Sequence, residues 1–269
     1  MKIALTIAGS DSGGGAGIQA DLKTFQQFGL FGTSVIVALT AQNTTGVLAV
    51  EAVSHAMVTA QLDALAADLP PDALKTGMLA DAGLVSLVAG AIRARRWAPL
   101  VVDPVMVSTS GDRLLSAGAE RVLRDELVPL AAVVTPNLDE AEILTGRSAR
   151  DIPAMERAGA DLVAMGAGAA LVKGGHLDSD VLTDVLVRPD GVRHFTRAKR
   201  ATTSTHGTGC TLSAAVTAGL ALRLDVETAV ADALDYVSRA MAAAPGLGRG
   251  HGPLDHTVPA HRPPSKGSM

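Results

Sequence analysis

Short apolar segments rich in β-branched residues alternate with longer segments of helical periodicity along this chain of 269 residues. Six of the short segments are predicted to be strands: Ile3–Ala8, Ser34–Leu39, Ala73–Thr76, Leu100–Asp103, Ala132–Thr135 and Ala169–Lys173. Helices are predicted between them, over Ile18–Phe28, Val58–Leu69, Ala82–Arg95, Ala117–Leu127 and Ile152–Met165. Strands that are apolar on both faces and separated by helices are typical of a parallel sheet covered on both sides. The sequence therefore predicts an α/β fold with a mostly parallel central sheet and helices on both faces.

The alternation breaks once, late in the chain. Asp184–Arg188 and Val192–Thr196 are predicted to form an antiparallel hairpin, because an Asp-Gly turn at Asp190 separates them. Two helices follow, Gly209–Arg223 and Val226–Ala244. No linker composition interrupts this order, so we expect a single domain over residues 1–257 and a flexible C-terminal tail over residues 258–269.

Composition excludes several functional classes. Hydrophobic residues make up 48% of the chain and aromatic residues 2%, which predicts a globular protein with an aliphatic core. A net charge of −4 gives no electrostatic basis for binding nucleic acid. The single cysteine, Cys210, excludes an internal disulfide and a Cys-rich metal site. We find no signal-peptide pattern and no apolar stretch of membrane-spanning length, and we expect a cytoplasmic protein.

Gly, Pro and polar residues follow six of the predicted strands. They are Gly9–Gly17, Gln42-Asn43, Gly77-Met78, Asp103-Pro104, Pro136-Asn137 and Gly174-Gly175-His176. Ligands of open α/β sheets bind outside the carboxyl ends of the strands. The sequence therefore predicts one convergent site at that edge of the sheet.

The motif Thr205-His206-Gly207-Thr208-Gly209-Cys210 opens a predicted helix. A helix N-terminus offers unpaired N–H groups and the positive end of a dipole, and glycines let an anion approach the backbone. This predicts an anion hole for a phosphoryl group at Gly207–Gly209. The same position is expected to lower the pKa of Cys210 and favour a thiolate that could act as a base. The alternative is a glycine-rich helix start with an inert, buried cysteine.

The glycine-rich loop at residues 9–17 allows more than one interpretation. Gly15–Ala20 matches the dinucleotide pattern G-x-G-x-x-A, but no carboxylate follows the second strand to bind a ribose. It is also not a P-loop, because no Gly-Lys-Ser/Thr follows. We expect the loop to close over a small ligand.

Charged residues at the strand ends suit a nucleotide and a metal ion. Asp103 ends a buried strand and Glu140 follows another, and Mg²⁺ prefers one or two carboxylates together with phosphate oxygens. Lys173 could reach a nucleotide phosphate. The alternatives are that Asp139 and Glu140 are helix N-terminal acids that match the dipole, and that Lys173 is solvated. His251, His256 and His261 lie in a Gly/Pro context, which favours a flexible end over a metal cluster.

With these motifs in place, the chain resembles the hydroxymethylpyrimidine/phosphomethylpyrimidine kinases of thiamin biosynthesis. The resemblance runs in register from Ala4–Asp11 to Gly250–Pro253. It includes these blocks: Gly17–Thr24, Ala41–Thr44, Lys75–Leu79, Thr135–Asn137, Lys173–His176 and His206–Cys210.

The resemblance implies a ribokinase-like fold, a homodimer, ATP and Mg²⁺. It also implies two successive reactions, which form first the pyrimidine monophosphate and then the diphosphate. Its site residues, carried onto this chain, are Gln42, Asp21 and Met78 for the pyrimidine, Gly207, Thr208 and Gly209 for the anion hole, Cys210 as the base, Asp103 and Glu140 for Mg²⁺, and Asn137 and Lys173 near the nucleotide. The carboxamide of Gln42 suits this substrate, since it can pair with an amine next to a ring nitrogen, the edge of a 4-aminopyrimidine.

Three other functions compete with this interpretation. Pyridoxal kinase shares the fold and acts on a hydroxymethyl pyridine. An NAD-dependent oxidoreductase is disfavoured by the missing ribose carboxylate. A pyrimidine-binding protein without activity is disfavoured by the intact motif at Gly207–Cys210.

Overall fold

One sheet forms the centre of the computed structural model, which describes residues 1–106, 117–175, 181–200 and 202–260. Its strands in chain order are β1 (Ile3–Asp11), β2 (Phe31–Asn43), β3 (Gly46–Ala52), β4 (Ala73–Thr76), β5 (Leu100–Val102), β6 (Val133–Val134), β7 (Ala170–Val172), β8 (Val181–Arg188) and β9 (Gly191–Ala198). Their spatial order is β3-β2-β1-β4-β5-β6-β7-β8-β9. Six neighbouring strands are parallel, namely β2, β1, β4, β5, β6 and β7. The strands β3, β8 and β9 pair antiparallel at the two edges. This confirms the predicted fold class and the late hairpin.

The second strand differs from the prediction. β2 does not end at Leu39 but continues through Asn43 and turns directly into β3, which the sequence analysis did not predict. Gln42 and Asn43 therefore lie on a strand of a hairpin and pair with Val47 and Gly46. β3 escaped prediction because it lies at the sheet edge with most of its side chains exposed, so no burial pattern marks it.

Helices cover both faces of the sheet. They are α1 (Gly17–Gln27), α2 (His55–Asp68), α3 (Ala82–Arg95), α4 (Ala117–Val122), α5 (Leu138–Thr145), α6 (Ile152–Ala164), α7 (Thr208–Ala221) and α8 (Val226–Ala242). α4 continues as a π-helical turn over Leu123–Leu127. On β1, Leu5 and Ile7 pack into the core with α2 and α3, while Ala4 packs into the core with α1, α7 and α8. This alternation buries both faces of the strand, as expected for an interior strand of a parallel sheet that is covered on both sides.

The segment after α8 packs back onto the domain. His256 is buried, and its Nε2 lies 2.9 Å from the hydroxyl of Thr211. Arg239 donates hydrogen bonds to the carbonyls of Pro259 and Ala260. The expectation that His251 and His256 belong to a flexible end is therefore wrong, because hydrogen bonds and burial fix this segment. His176, His261 and the remainder of the tail lie outside the described residues.

No helix in the described ranges combines the length and the apolar character that crossing a membrane requires.

Candidate active site

A cavity of about 620 Å³ lies at the carboxyl ends of the parallel strands. Every described strand-end segment that the sequence analysis singled out contributes to its lining: Ser10, Asp11, Gln42, Gly77, Met78, Asp103, Asn137, Lys173 and Gly175. The start of α7, from His206 to Cys210, lines the same cavity. The predicted convergence of these loops on one site is what the fold produces.

Two of the helices that begin at this cavity, α1 and α7, lack the side-chain caps found on other helices. α2, α3, α5, α6 and α8 each begin with a Ser, Asp or Asn side chain that accepts a hydrogen bond from the first turn. α1 and α7 begin instead at Ala16 and Gly207, with no side-chain cap. Because no side chain caps α7, N–H groups of its first turn can bind an anion in the cavity, whereas the Gly17 N–H at the start of α1 donates to Cys210.

Gly207 and Gly209 differ in what they allow. Gly207 has φ of +77° and packs against the carbonyl of Gly15, so both its conformation and its surroundings exclude a side chain. A Cβ on Gly209 would lie 3.4 Å from Lys173 Nζ and 3.9 Å from Asp103 Oδ2. Gly209 therefore keeps open the space in front of a cation and a carboxylate. Thr208 stabilises the turn, since its hydroxyl donates to the carbonyl of Thr205 at 2.8 Å.

Lys173 lies between two acids. Its Nζ is 3.4 Å from Asp103 Oδ1 and 3.8 Å from Glu140 Oε2. Ser213 donates a hydrogen bond of 3.0 Å to the other oxygen of Asp103 and fixes that carboxylate. Burial lowers the pKa of Lys173, but the attraction of Asp103 and Glu140 outweighs it and raises the pKa above its usual value. Lys173 is therefore a charged group inside the cavity and not the solvated strand end of the alternative interpretation.

Asn137 and Glu140 form a capping box at the start of α5. Asn137 Oδ1 accepts from the Glu140 N–H at 2.9 Å, and Glu140 Oε2 accepts from the Asn137 N–H at 2.8 Å. Burial raises the pKa of Glu140 to about 7, against the opposing attraction of Lys173. Glu140 therefore lies in the first turn of a helix, as the alternative interpretation expected, and it also lines the cavity.

Cys210 is a thiol in this environment. Burial raises its pKa to about 12, despite the opposing charge of Lys75 and a hydrogen bond from the Gly17 N–H. The prediction that the helix N-terminus lowers the pKa of Cys210 is therefore wrong, because loss of hydration outweighs the helix dipole here. Cys210 nevertheless lines the cavity beside Gly209, where the prediction placed it.

Asp21 does not line the cavity. It has no exposed surface, accepts a hydrogen bond of 2.8 Å from Lys75 and accepts another of 2.6 Å from Thr6. The predicted contact between Asp21 and a pyrimidine is not available in this arrangement, because Lys75 and Thr6 occupy its carboxylate oxygens.

Gln42 and Met78 lie at the other end of the cavity. Thr40 donates a hydrogen bond of 3.1 Å to Gln42 Oε1, which orients the carboxamide. Met78 is buried, and its Cε would lie 2.9 Å from a Cβ on Gly9. The absence of a side chain at Gly9 therefore makes room for Met78, which supplies an apolar surface next to the polar edge of Gln42.

Sequence reasoning missed two pairs at this site. Asp11 and His206 lie 2.8 Å apart, although 195 positions separate them. Asp184 and Arg197 both line the cavity and form an ion pair of 2.6 Å. The first pair had a signal, since both residues belong to motifs quoted above, but the link between the motifs exists only in the fold.

These features define a class. A cavity at the carboxyl ends of a parallel sheet, with an uncapped helix start facing a partly buried lysine and two carboxyl groups, is typical of a small-molecule phosphotransferase.

Comparison with known proteins narrows the class. The sequence profile of the family described as "Phosphomethylpyrimidine kinase" matches residues 11–255. The hydroxymethylpyrimidine/phosphomethylpyrimidine kinase of Rhizobium meliloti is 51% identical over 257 residues, covering 94% of this chain and 96% of the relative. The same enzyme of Escherichia coli is 46% identical, with 94% and 96% covered. The chain belongs to the phosphomethylpyrimidine kinase family, which confirms the predicted family, kinase activity and place in thiamin biosynthesis.

Solved structures agree. Phosphomethylpyrimidine kinase of Clostridium difficile has a TM-score of 0.81 at 41% identity, covering 89% of this chain and 99% of that one. An ADP complex of Bacillus subtilis pyridoxal kinase has a TM-score of 0.89 at 36% identity, covering 95% and 97%. The ribokinase-like fold is thereby confirmed, and nucleotide complexes of such kinases support the use of ATP.

Proposed function

We propose that this cavity transfers the γ-phosphoryl group of ATP to 4-amino-5-hydroxymethyl-2-methylpyrimidine, and then transfers a second one to the resulting monophosphate. The observation that carries the proposal is the geometry at Gly209. The open space above it faces the first-turn N–H groups of α7, the Lys173 ammonium and the Asp103 carboxylate together. A phosphoryl group in transit needs such fixed donors around its equatorial oxygens.

In the first reaction the hydroxymethyl oxygen bonds to the γ-phosphorus while the bond from phosphorus to the ADP oxygen breaks. The hydroxyl proton must leave, and we assign Cys210 as its acceptor because the sulfur lies beside the anion hole. A pKa of about 12 makes the thiolate a minor form at neutral pH. The base therefore acts from a small population, and positioning with the α7 donors provides most of the rate enhancement.

The second reaction uses the same hole but another nucleophile. An oxygen of the monophosphate, which is mostly ionised at neutral pH, attacks the γ-phosphorus of a second ATP and needs no base. The product is the diphosphate, and the second ADP leaves with the electron pair of the broken bond.

The described residues fit a magnesium ion. No group of three or more His, Cys, Asp and Glu that could enclose a metal occurs in the described ranges. Mg²⁺ does not need one, since one or two carboxylates plus phosphates suffice. Asp103 and Glu140 supply two carboxyl groups around Lys173; burial raises the pKa of Glu140 and disfavours its charged form, which a bound cation would stabilise. Bound there with ATP, Mg²⁺ would neutralise phosphate charge; Asn137 and Lys173 would hold the nucleotide.

Gln42 and Met78 form the acceptor end of the cavity, which we propose binds the pyrimidine. Gln42 Oε1 retains a lone pair beside its bond from Thr40, so the carboxamide can accept from the 4-amino group and donate to the adjacent ring nitrogen. Met78 covers the ring with apolar surface. We assign Asp21 an indirect role through Lys75, in place of the predicted contact.

A homodimer is part of the proposal. Leu39, Leu48 and Val50 of the β2–β3 hairpin are each at least half exposed, and a second copy would cover such apolar side chains. We place the enzyme in the cytoplasm, where ATP is available, and assign it no nucleic-acid partner because its net charge is −4.

Pyridoxal kinase is the second candidate, because the pyridoxal kinase of Bacillus subtilis superposes with the higher TM-score. The purified chain should therefore be assayed with ATP and Mg²⁺ on the pyrimidine alcohol and on pyridoxal, with products identified by mass. We expect mono- and diphosphate from the pyrimidine at a higher kcat/KM than for pyridoxal. A preference for pyridoxal, or no diphosphate, would contradict the proposal.

A further inference from the structure

The loop of residues 11–16 is organised by the carboxylate at its start. Asp11 Oδ1 accepts the N–H of Gly13 at 2.8 Å, and Oδ2 accepts the N–H groups of Gly15 and Ala16 at 3.0 and 2.8 Å. Burial raises the pKa of Asp11, but the hydrogen bonds from His206 and from this backbone outweigh burial and hold the pKa below its usual value. Asp11 is therefore an ionised carboxylate that accepts hydrogen bonds from three backbone N–H groups and from His206.

Asp11 is connected to the anion hole through His206. His206 Nε2 lies 2.8 Å from Asp11 Oδ2, and the two side chains are only 7% and 3% exposed. Because the carboxylate can only accept, Nε2 of His206 carries the proton and donates. The His206 ring packs against Gly15, whose Cβ would lie 2.5 Å from the ring, and the next residue is Gly207. Asp11 thus holds the residue that precedes the anion hole.

The loop is connected to the acceptor end of the cavity through Ser12, the residue after Asp11. Ser12 Oγ donates a hydrogen bond of 2.8 Å to the Gln42 carbonyl and accepts one of 2.8 Å from the Gln42 N–H. The loop that begins at Asp11 is therefore hydrogen-bonded to the strand that presents the Gln42 carboxamide.

We propose that Asp11 is a positioning residue that holds the anion hole, through His206, at a fixed distance from the acceptor-binding strand, through Ser12. Its consequence for the rate rests on the proposed function. A displacement of about 1 Å between acceptor and phosphoryl group costs on the order of 10²-fold in rate, so the link acts on kcat as well as on KM. Without it, the loop could move away from either end.

The first test needs no substrate. In Asp11→Ala both carboxylate oxygens are lost, so the donors of His206, Gly15 and Ala16 have no acceptor on this side chain. Hydrogen exchange of the amides at residues 207–210 in the free enzyme should rise by about tenfold, while helix α3 keeps its protection. Unchanged exchange at residues 207–210 would overturn the proposal, whatever the substrate proves to be.

The second test uses variants of the partner. His206→Gln keeps an N–H donor near the position of Nε2 and should retain kcat within roughly fivefold, whereas His206→Leu should lose roughly 10²-fold. Ser12→Ala should raise KM for the acceptor and also lower kcat, because it releases the acceptor-binding strand from the loop. Lys23→Met is the matched control, since Lys23 contacts the same loop only at the Gly14 carbonyl. Equal losses of kcat in both His206 variants would show that the ring only fills space and would overturn the proposal. If the wild-type enzyme has no activity on the pyrimidine, the proposed function fails, and the hydrogen-exchange experiment still tests whether Asp11 holds the anion hole.

Discussion

Lys75 donates a hydrogen bond of 2.8 Å to Asp21, and neither side chain has any exposed surface. Burial lowers the pKa of Lys75, but the attraction of Asp21 and Asp103 and the hydrogen bond to Asp21 outweigh it, and the pKa lies above its usual value. The ammonium is therefore charged. Its charge also lowers the pKa of the Cys210 thiol, against the larger effect of burial.

Breaking this pair on one side should destabilise the protein strongly. Lys75→Met leaves Asp21 as an unpaired buried charge, and we expect a loss of about 3–5 kcal/mol in the free energy of unfolding. The double variant Lys75→Met/Asp21→Leu removes both charges and should recover much of that loss. Urea unfolding measures both values; a double variant less stable than Lys75→Met would refute the paired arrangement.

Cys210 should react slowly in the free enzyme. With a pKa of about 12 the thiol stays protonated at pH 8, so alkylation by iodoacetamide should be at least about 10²-fold slower than in the unfolded chain. The chain has one cysteine, so the signal comes from this site alone. A fast reaction at neutral pH would mean that the helix dipole prevails after all.

The same pKa predicts a stability change in alkali. The folded value, about 12, lies above the ordinary value of 9.0, so the folded state binds more protons between them. The contribution of Cys210 to stability is complete below pH 9 and is lost as the pH rises toward 12. Cys210→Ala should be less sensitive to pH over that range; identical pH profiles for both proteins would contradict the assignment.

Gln42 should discriminate between the two candidate acceptors. Gln42→Met removes both hydrogen bonds to the aminopyrimidine edge at similar volume, and should cost about 1–3 kcal/mol of transition-state binding for the pyrimidine. Pyridoxal has no amino group at that position and should lose less. Values of kcat/KM for both alcohols decide the matter, and equal losses would show that Gln42 does not read the amine.

The two phosphorylations should depend differently on Cys210. The alcohol must lose a proton and the monophosphate need not, so Cys210→Ala should slow the first step by roughly 10²-fold and the second by much less. Single-turnover kinetics started separately from the alcohol and from its monophosphate compare the steps. An equal decrease in both would mean that Cys210 shapes the site and does not accept a proton.

The sequence predicted the sheet and most of the cavity because their signals are local. Buried strands such as Leu100–Val102 are apolar throughout, and the Gly and polar residues that follow them mark the ligand edge. β3 was missed because an exposed edge strand carries no such pattern. Glu140 was predicted both as an acid at a helix N-terminus and as a site residue, and the structure shows it in the first turn of α5 and in the cavity lining.

The wrong predictions for Cys210, Asp21 and His256 have a common cause. Each depends on burial or on a contact between residues far apart in the sequence, which a local motif does not reveal. The pKa of Cys210 depends on how completely the fold excludes water from the thiol, and the helix motif alone does not reveal this. Asp21 lies in a conspicuous motif, yet its partner Lys75 is 54 positions away and removes it from the cavity lining. His256 lies in a Gly/Pro-rich segment, but its contact with Thr211 on α7 fixes it.

The central claim is that one anion hole at Gly209 serves both phosphorylations. Gly209→Val places a side chain in front of Lys173 and Asp103 without meeting backbone, so the protein should fold. Gly90→Val, at a helical glycine with open space around it, is the matched control. In single-turnover reactions started from the alcohol and from the monophosphate, Gly209→Val should slow both steps by roughly 10²-fold or more, and Gly90→Val should slow neither. If either step keeps its wild-type rate in folded Gly209→Val, the phosphoryl group passes elsewhere and the claim is wrong.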